Sequence, residues 1–261
     1  MSDGDSPGAS VPDETLRRML TLERYPRSAG YDPRWVIDNL MGPNVLWLTE
    51  ALTDAMRLTP GMRVLDLGCG KALSSIFLAR EFGVQVWAAD LWITPGENWE
   101  RIREAALTER VFPISAEAHA LPFAEGFFDA IVSMDAYHYF GTNDLYLAYL
   151  SRFLRPEGQI GIVVPGVRHE LDAVPPPRLA AYWEADFCTF HSPNWWRRHW
   201  ELSMAVTVER ADWLPHGWDD WLLWNRACAL AGRGWERELH LLEADGGELL
   251  GFSRSVARRI A

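Results

Sequence analysis

The sequence predicts an α/β protein built on an open, mostly parallel sheet, and three observations carry that prediction. Short apolar runs alternate with amphipathic segments from Met62 to Val164, the pattern of strands joined by crossover helices. One such unit, residues 62–90, places a glycine turn between its first strand and its helix. Hydrophobic residues make up 48% of the 261 positions, enough for a large packed core.

The unit reads MRVLDLGCGKALSSIFLAREFGVQVWAAD. Val64 to Leu67 is an apolar run carrying one acid, Asp66. Gly68-Cys69-Gly70 forms the turn. Leu73, Ile76 and Phe77 mark the apolar side of a helix that Gly83 stops, and Val84 to Ala89 leads into Asp90. Such a turn sets free backbone N–H groups at a helix start, beside the carboxyl ends of parallel strands, where open α/β sheets bind ligands. A dinucleotide fingerprint fails because Leu73 stands where its third glycine belongs, and a phosphate loop fails because Ala72 follows Lys71. A carboxylate at Asp66 would repel a pyrophosphate and suits an ammonium group. Asp90, at the end of the second strand, can accept both hydroxyls of a ribose. An ammonium at one end and a free ribose at the other describe S-adenosylmethionine; the alternative is a glycine turn that holds no ligand.

At this point the chain resembles the class I S-adenosylmethionine-dependent methyltransferase family. Asp66-Leu67-Gly68-Cys69-Gly70-Lys71-Ala72 is similar to the family's acid-x-Gly-x-Gly-x-Gly motif, with Ala72 replacing the last glycine. The resemblance implies a Rossmann-like, seven-stranded, mostly parallel sheet with helices on both faces and an antiparallel last strand. It implies S-adenosylmethionine as cofactor, with Asp66, Gly68, Cys69, Gly70, Asp90 and Leu91 around it.

In chain order, residues 1–10 read as a disordered tail rich in Gly, Ser, Asp and Pro. A helix is predicted from about Pro12, with Ser10 as a possible cap. Asp32-Pro33 opens a helix that ends near Gly42-Pro43, and a further helix covers about 44–56. The resemblance makes residues 1–60 a tail and helical lid over the cofactor, with Tyr31 near the substrate; a plain two-helix cover of the sheet is the alternative. After Asp90, a helix is predicted over Trp92 to Leu107 and a strand over Val111 to Ile114. Ala116 to Phe123 resembles a family segment that places Glu117 by the adenine amino group and offers the Ala118 N–H to the ring. Phe127 to Met134 is a buried strand. Tyr146, Tyr149, Leu150 and Phe153 line one face of a helix, and Leu154 to Gly158 turns the chain into a strand over Gln159 to Val164. Four matches to the family thus fall within residues 62–165.

Beyond Pro165 the chain changes character. Pro175-Pro176-Pro177 is an irregular connection. Ser192 or Asn194 can cap a short helix carrying Trp195, Trp196 and Trp200. Met204 to Arg210 reads as a strand, Gly217 to Leu242 as mostly helix, and Leu249 to Arg258 as the final strand. Residues 61–261 are read as one cofactor-binding domain with no internal repeat.

A net charge of −11 argues against a nucleic-acid partner, because phosphate binding needs local Lys and Arg. No apolar run reaches the roughly 18 residues that a membrane span needs, so no membrane partner is expected. The acidic N-terminus lacks the basic and apolar regions of a signal peptide. Three widely spaced cysteines without a Cys-x-x-Cys pair suggest a reduced, cytoplasmic setting and no metal site. The expected partner is a small-molecule substrate.

Methyl transfer displaces at a carbon that a positive sulfur already activates. The protein must hold a nucleophile about 3 Å away in line and exclude water. A general base is needed only where the nucleophile has a proton to lose. His138, just past the fourth strand, is the catalytic candidate; general base, cofactor contact and structural histidine are its competing roles. Asp135 is expected to line the methionine end through its backbone. Tyr137 and Tyr139 are placed near the substrate, with core packing as the alternative. Nine of the 14 tryptophans fall between Trp183 and Trp235. A Trp-rich lid at about 166–203, with Trp195 and Trp196 foremost, is expected to border the substrate, against the alternative of a structural cover. A second function class, a protein of this fold that binds the cofactor without methylating, also remains.

Overall fold

The apolar runs become seven strands: β1 (Arg63–Leu67), β2 (Gln85–Asp90), β3 (Val111–Ser115), β4 (Phe128–Met134), β5 (Leu154–Val167), β6 (Val206–Trp213) and β7 (Leu250–Arg259). The computed structural model describes residues 11–171 and 175–260, so the expected tail and its Ser10 cap lie outside the described residues. The strands form one sheet in the order β3-β2-β1-β4-β5-β7-β6. Strands β1 to β5 pair in parallel, and β7 runs antiparallel to both β5 and β6. The chain builds outward from β1 through β2 to β3, then returns to β4 on the other side of β1. That reversal opens a crevice at the carboxyl ends of β1 and β4.

Nine helices are described: α1 (Asp13–Leu20), α2 (Pro33–Asp38), α3 (Val45–Thr53), α4 (Leu73–Phe82), α5 (Pro95–Glu104), α6 (Tyr146–Ser151), α7 (Pro193–Leu202), α8 (Gly217–Leu230) and α9 (Glu236–Asp245). Their starts follow local chemistry. The Asn44 side chain accepts from the N–H of Leu46 at 3.1 Å, Thr94 and Glu97 form a reciprocal capping box, and the Ser192 hydroxyl accepts from the N–H of Trp195 at 3.2 Å. Each satisfies backbone donors that a helix leaves unpaired in its first turn.

Two elements differ from the sequence reading. The helix expected from Trp92 begins at Pro95, because the Asp90 carboxylate captures the N–H groups of Trp92 and Ile93 at 2.8 and 2.9 Å. An acid that bonds the backbone two and three residues on holds a turn and delays the helix. The helix expected over Gly217 to Leu242 is two helices. Gly232 and Gly234 have φ of +68° and +86°, a left-handed conformation that glycine adopts at no steric cost and that ends a helix.

Alternate residues of the central strands feed two apolar clusters. Val64, Ala130 and Val132 join the cluster formed with α1 to α5, α8 and α9. Leu65, Ile131, Ile160 and Ile162 join the cluster under α6 and α7. The side-chain period of two along a strand puts these clusters on opposite faces of the sheet. Asp66 shares the face of Val64, which turns it toward α4.

Candidate functional site

The glycine turn is held from below and from the side. Below it, Asp66 is fully buried, and the hydroxyls of Ser74 and Ser75 in α4 both donate to its Oδ2 at 2.6 Å. Its Oδ1 has no partner among the described residues. Burial, with a smaller push from the charge of Asp90, raises the Asp66 carboxyl to about 6 against the pull of the two serine hydrogen bonds. From the side, the N–H of Gly70 donates to Asp90 Oδ2 at 2.8 Å. Asp90, through both oxygens, therefore ties the turn to the start of the next segment.

Gly68 has φ +74°, and a Cβ there would lie 2.4 Å from the Cβ of Ala136. Position 68 thus demands glycine on both backbone and contact grounds. Ala72, where the family pattern has its third glycine, takes φ +60° immediately before α4. A left-handed alanine costs about 1–2 kcal/mol, so the surrounding packing holds that strain.

Above the turn lies a cavity of about 360 Å³ at the carboxyl ends of β1, β2 and β4. That volume lies in the range of small-molecule sites. Gly68, Cys69, Gly70, Asp90, Leu91, Glu117, Ala118 and Asp135 all line it. Asp66 does not: it lies beneath the turn, its Oδ2 bonded to Ser74 and Ser75 of α4. Glu117 turns back on its own loop, accepting from the backbone N–H of His119 at 2.9 Å and pairing with His119 Nδ1 at 2.8 Å. The hydrogen bond from His119 holds its carboxyl below the usual range.

The residues expected to meet the substrate are elsewhere. Tyr31 is buried against Phe77 and Trp35, and its hydroxyl donates to Glu81 at 3.1 Å. Tyr137, Trp196 and Trp200 are fully buried together on the α6–α7 face, with ring centroids 5.6–5.9 Å apart around Tyr137. Trp195 is stacked between His191 and His199. No described residue of 166–203 lines the cavity. The physical reason is topological. α7 packs on β6 and β7, at the opposite end of the sheet from β2.

His138 is buried in the 3-10 turn Tyr137–Tyr139 and does not line the cavity. Its ring lies against Tyr139 and Phe190 at 4.0 and 5.6 Å, and Nδ1 has no partner among the described residues. Burial alone pushes its imidazole down to about 3, so it is neutral at physiological pH. Among the described residues no cluster of His, Cys, Asp or Glu could hold a metal ion, and no helix is long and apolar enough to cross a membrane.

Residues 64–158 match the family model for a methyltransferase domain. Methyltransferase GfsG of Streptomyces halstedii is 33% identical over 169 residues, covering 64% of this chain and 55% of that protein. The chain spans about half the length of the curated relatives it matches. Among solved structures, geranyl diphosphate C-methyltransferase from Streptomyces coelicolor A3(2) superposes with a TM-score of 0.66 at 20% identity, covering 81% of this chain and 78% of that one. Phosphoethanolamine N-methyltransferase 2 of Haemonchus contortus gives 0.69 at 17% identity, covering 94% and 60%. Over these residues the chain is similar to methyltransferases, and its fold is theirs.

Several residues of this cavity were not legible in the sequence. The connection from α2 to α3 forms one wall through Leu40, Met41, Gly42 and Pro43. Gly42 yields to Asp135: a Cβ at position 42 would lie 2.2 Å from Asp135 Oδ2. Trp224 of α8 donates its indole N–H to the Gly42 carbonyl at 2.8 Å and lines the cavity from there. Lys71 also lines it, its ammonium lowered by partial burial and by Arg101 and Arg233. Trp92 and Tyr139 pair across the opening with ring centroids 6.3 Å apart. Of these, Tyr139 was expected beside Tyr137 near the substrate, and it lines the cavity.

Proposed function

We propose that this protein transfers a methyl group from S-adenosylmethionine to a small-molecule nucleophile. One observation carries the reading: the glycine turn, Asp90 and the Glu117–Ala118 segment converge on one cavity at the point where the strand order reverses. The residues present fit the cofactor. Position 68 has no room for a side chain, so a ligand can approach the backbone of the turn closely. In this reading Asp90 accepts from the ribose hydroxyls, Leu91 and Ala118 bracket the adenine, and Glu117 sits at its polar edge. The backbone of Asp135, not its side chain, closes the methionine end, and Lys71 lies at that end of the cavity.

Bound S-adenosylmethionine supplies an electrophilic methyl carbon beside a positive sulfur. The chain's own work is to bind, orient and exclude water. The sheet fixes the cofactor groups from β1, β2 and β4. The α2–α3 connection, held to α8 by the Trp224–Gly42 hydrogen bond, closes the opposite wall. His138 is set aside as the proton acceptor, because its ring does not line the cavity and burial disfavours the imidazolium it would become. We assign it to packing the turn that follows β4, and assign residues 11–60 to the cover over the cofactor. Residues 61–261 complete the binding domain, and the setting is cytoplasmic.

The experiment pairs calorimetric titration of S-adenosylmethionine with methyl-labelled turnover on a metabolite panel. Micromolar binding with label appearing in product is the expected result. Binding without transfer to any panel member would favour the non-methylating reading, and no binding would remove the reading entirely.

A further inference from the structure

The acceptor end of the cavity differs in chemistry from the cofactor end, and this inference rests on the cofactor assignment above. Eleven large hydrophobic residues are exposed among the described residues, and four of them, Met41, Leu91, Trp92 and Tyr139, line this one cavity. Trp92 is 72% exposed and Tyr139 51%. Leu91 directly follows Asp90 and belongs to the adenine. Met41, Trp92 and Tyr139 remain as an exposed apolar rim, and apolar surface gathered at a cavity mouth marks a binding surface. Inside the rim, Phe140 and Trp224 continue the apolar wall.

Asp135 is an acidic side chain in the lining of this cavity. Asp135 takes φ +54°, a conformation uncommon for a residue other than glycine and concentrated at functional sites. No hydrogen bond or ion pair engages its carboxylate among the described residues, whereas Asp66 and Asp90 are both held by donors. The fold makes room for it: Gly42 leaves the space that Oδ2 occupies, and Trp224 pins Gly42 in place. Glu238 of α9 is the charged side chain that acts on Asp135, and Tyr139 shares the field of Asp135, Glu238, Asp186 and Glu184. Burial and Glu238 raise the Asp135 carboxyl well above its ordinary value, in the direction that suits a general base.

We infer that the acceptor is an apolar molecule presenting a hydroxyl group, and that Asp135 is the catalytic residue that takes its proton. As the acceptor oxygen forms its bond to the methyl carbon, the carbon–sulfur bond breaks and its electron pair returns to sulfur. The hydroxyl proton passes to the Asp135 carboxylate and then to solvent through the mouth. The apolar body of the acceptor rests on Met41, Trp92 and Tyr139.

The test reads binding, with S-adenosylhomocysteine in place and three probes: 2-naphthol, naphthalene and 2-naphthylmethylamine. The full chain is expected to bind 2-naphthol at least about tenfold more tightly than naphthalene, the effect of a hydrogen bond to a charged group. Asp135→Ala should erase that preference while S-adenosylhomocysteine affinity and melting temperature hold. Tyr139→Ala should weaken both naphthol and naphthalene and spare S-adenosylhomocysteine. Equal binding of naphthol and naphthalene, no binding of any probe, or a tighter fit for the amine would each overturn the inference. A tenfold loss of S-adenosylhomocysteine affinity in Asp135→Ala would reassign the carboxylate to the cofactor. Failure of the wild type to bind S-adenosylhomocysteine would instead strike the cofactor assignment.

Discussion

Two sets of tryptophans sit in this molecule under opposite conditions. Trp196 and Trp200 come from the densest aromatic stretch of the chain and are fully buried over the edge of the sheet. Trp92 and Trp224 come from segments far apart in sequence and line the cavity. Clustering on the one short helix α7 therefore marked core, whereas Trp224, from the same Trp-rich half of the chain, joined Trp92 at the site by convergence in space. Residues on one short helix share one local environment, and α7 lies on β6 and β7, away from β1 and β2. A cavity wall is assembled from several loops at once.

The contrast can be broken most severely at the glycine turn, the part of the cavity with least room. Gly68→Val should abolish S-adenosylmethionine binding, because a side chain there meets Ala136 and strains the backbone. Calorimetry on a variant with native circular dichroism reads this, and normal affinity would make the turn purely structural. Next in size, Trp196→Ala should lower stability by about 3–5 kcal/mol, as large-to-small changes in a core do, with cofactor affinity of the folded fraction unchanged. Trp224→Ala should show the reverse balance, a smaller shift in melting and a weaker cofactor complex. If the two variants behaved alike, the separation of core and cavity tryptophans would collapse.

Two acid–base predictions sharpen the same boundary. The Asp66 carboxyl, raised to about 6 when folded, binds its proton more tightly in the native than in the unfolded chain. Wild type should lose about 3 kcal/mol relative to Asp66→Asn as pH rises from about 4 to above 6, given 1.36 kcal/mol per unit. A pH-independent difference in chemical denaturation between the two would refute the buried placement. His138 has the opposite sign. Its folded value, lowered to about 3, lies below that of the unfolded chain, so stability is lost as pH falls below about 6.5. His138→Phe should remove about 2 kcal/mol of that loss at pH 5, and an unchanged acid limb would contradict it. The smallest effect belongs to Trp92→Ala, which should alter stability by no more than about 0.5 kcal/mol, as exposed positions do. A marked fall in melting temperature would mean that Trp92 packs rather than borders the opening.

Much of the fold was legible because its signals are local. The run Val64–Leu67, the turn at Gly68–Gly70 and the acid at Asp90 lie within 29 residues (62–90), and each is read by its neighbours in the chain. The seven-stranded, mostly parallel sheet and its antiparallel last strand followed from the resemblance those residues support. The cavity-lining positions of Cys69, Leu91, Glu117, Ala118 and Asp135 were also anticipated. What escaped were features decided at a distance. Trp224 reaches a carbonyl 182 positions earlier in the chain. Gly42 reads as a turn former, yet its lack of a side chain serves Asp135. Tyr137 and His138 follow the correct strand, but the 3-10 turn directs both into the interior. The spacing of Asp66 from the turn is visible in the sequence, whereas the serines of α4 that bond its Oδ2 are not.

The central claim is that the crevice at β1, β2 and β4 holds S-adenosylmethionine by its ribose at Asp90. Asp90 also accepts three backbone N–H groups, so affinity has to be measured beside stability. Asp90→Ala, titrated calorimetrically with S-adenosylmethionine at a temperature where it remains folded, tests the claim directly. Loss of two hydrogen bonds to a charged group, each about 1.5–3 kcal/mol, predicts affinity lower by at least about tenfold. Unchanged affinity in the folded variant would contradict the assignment.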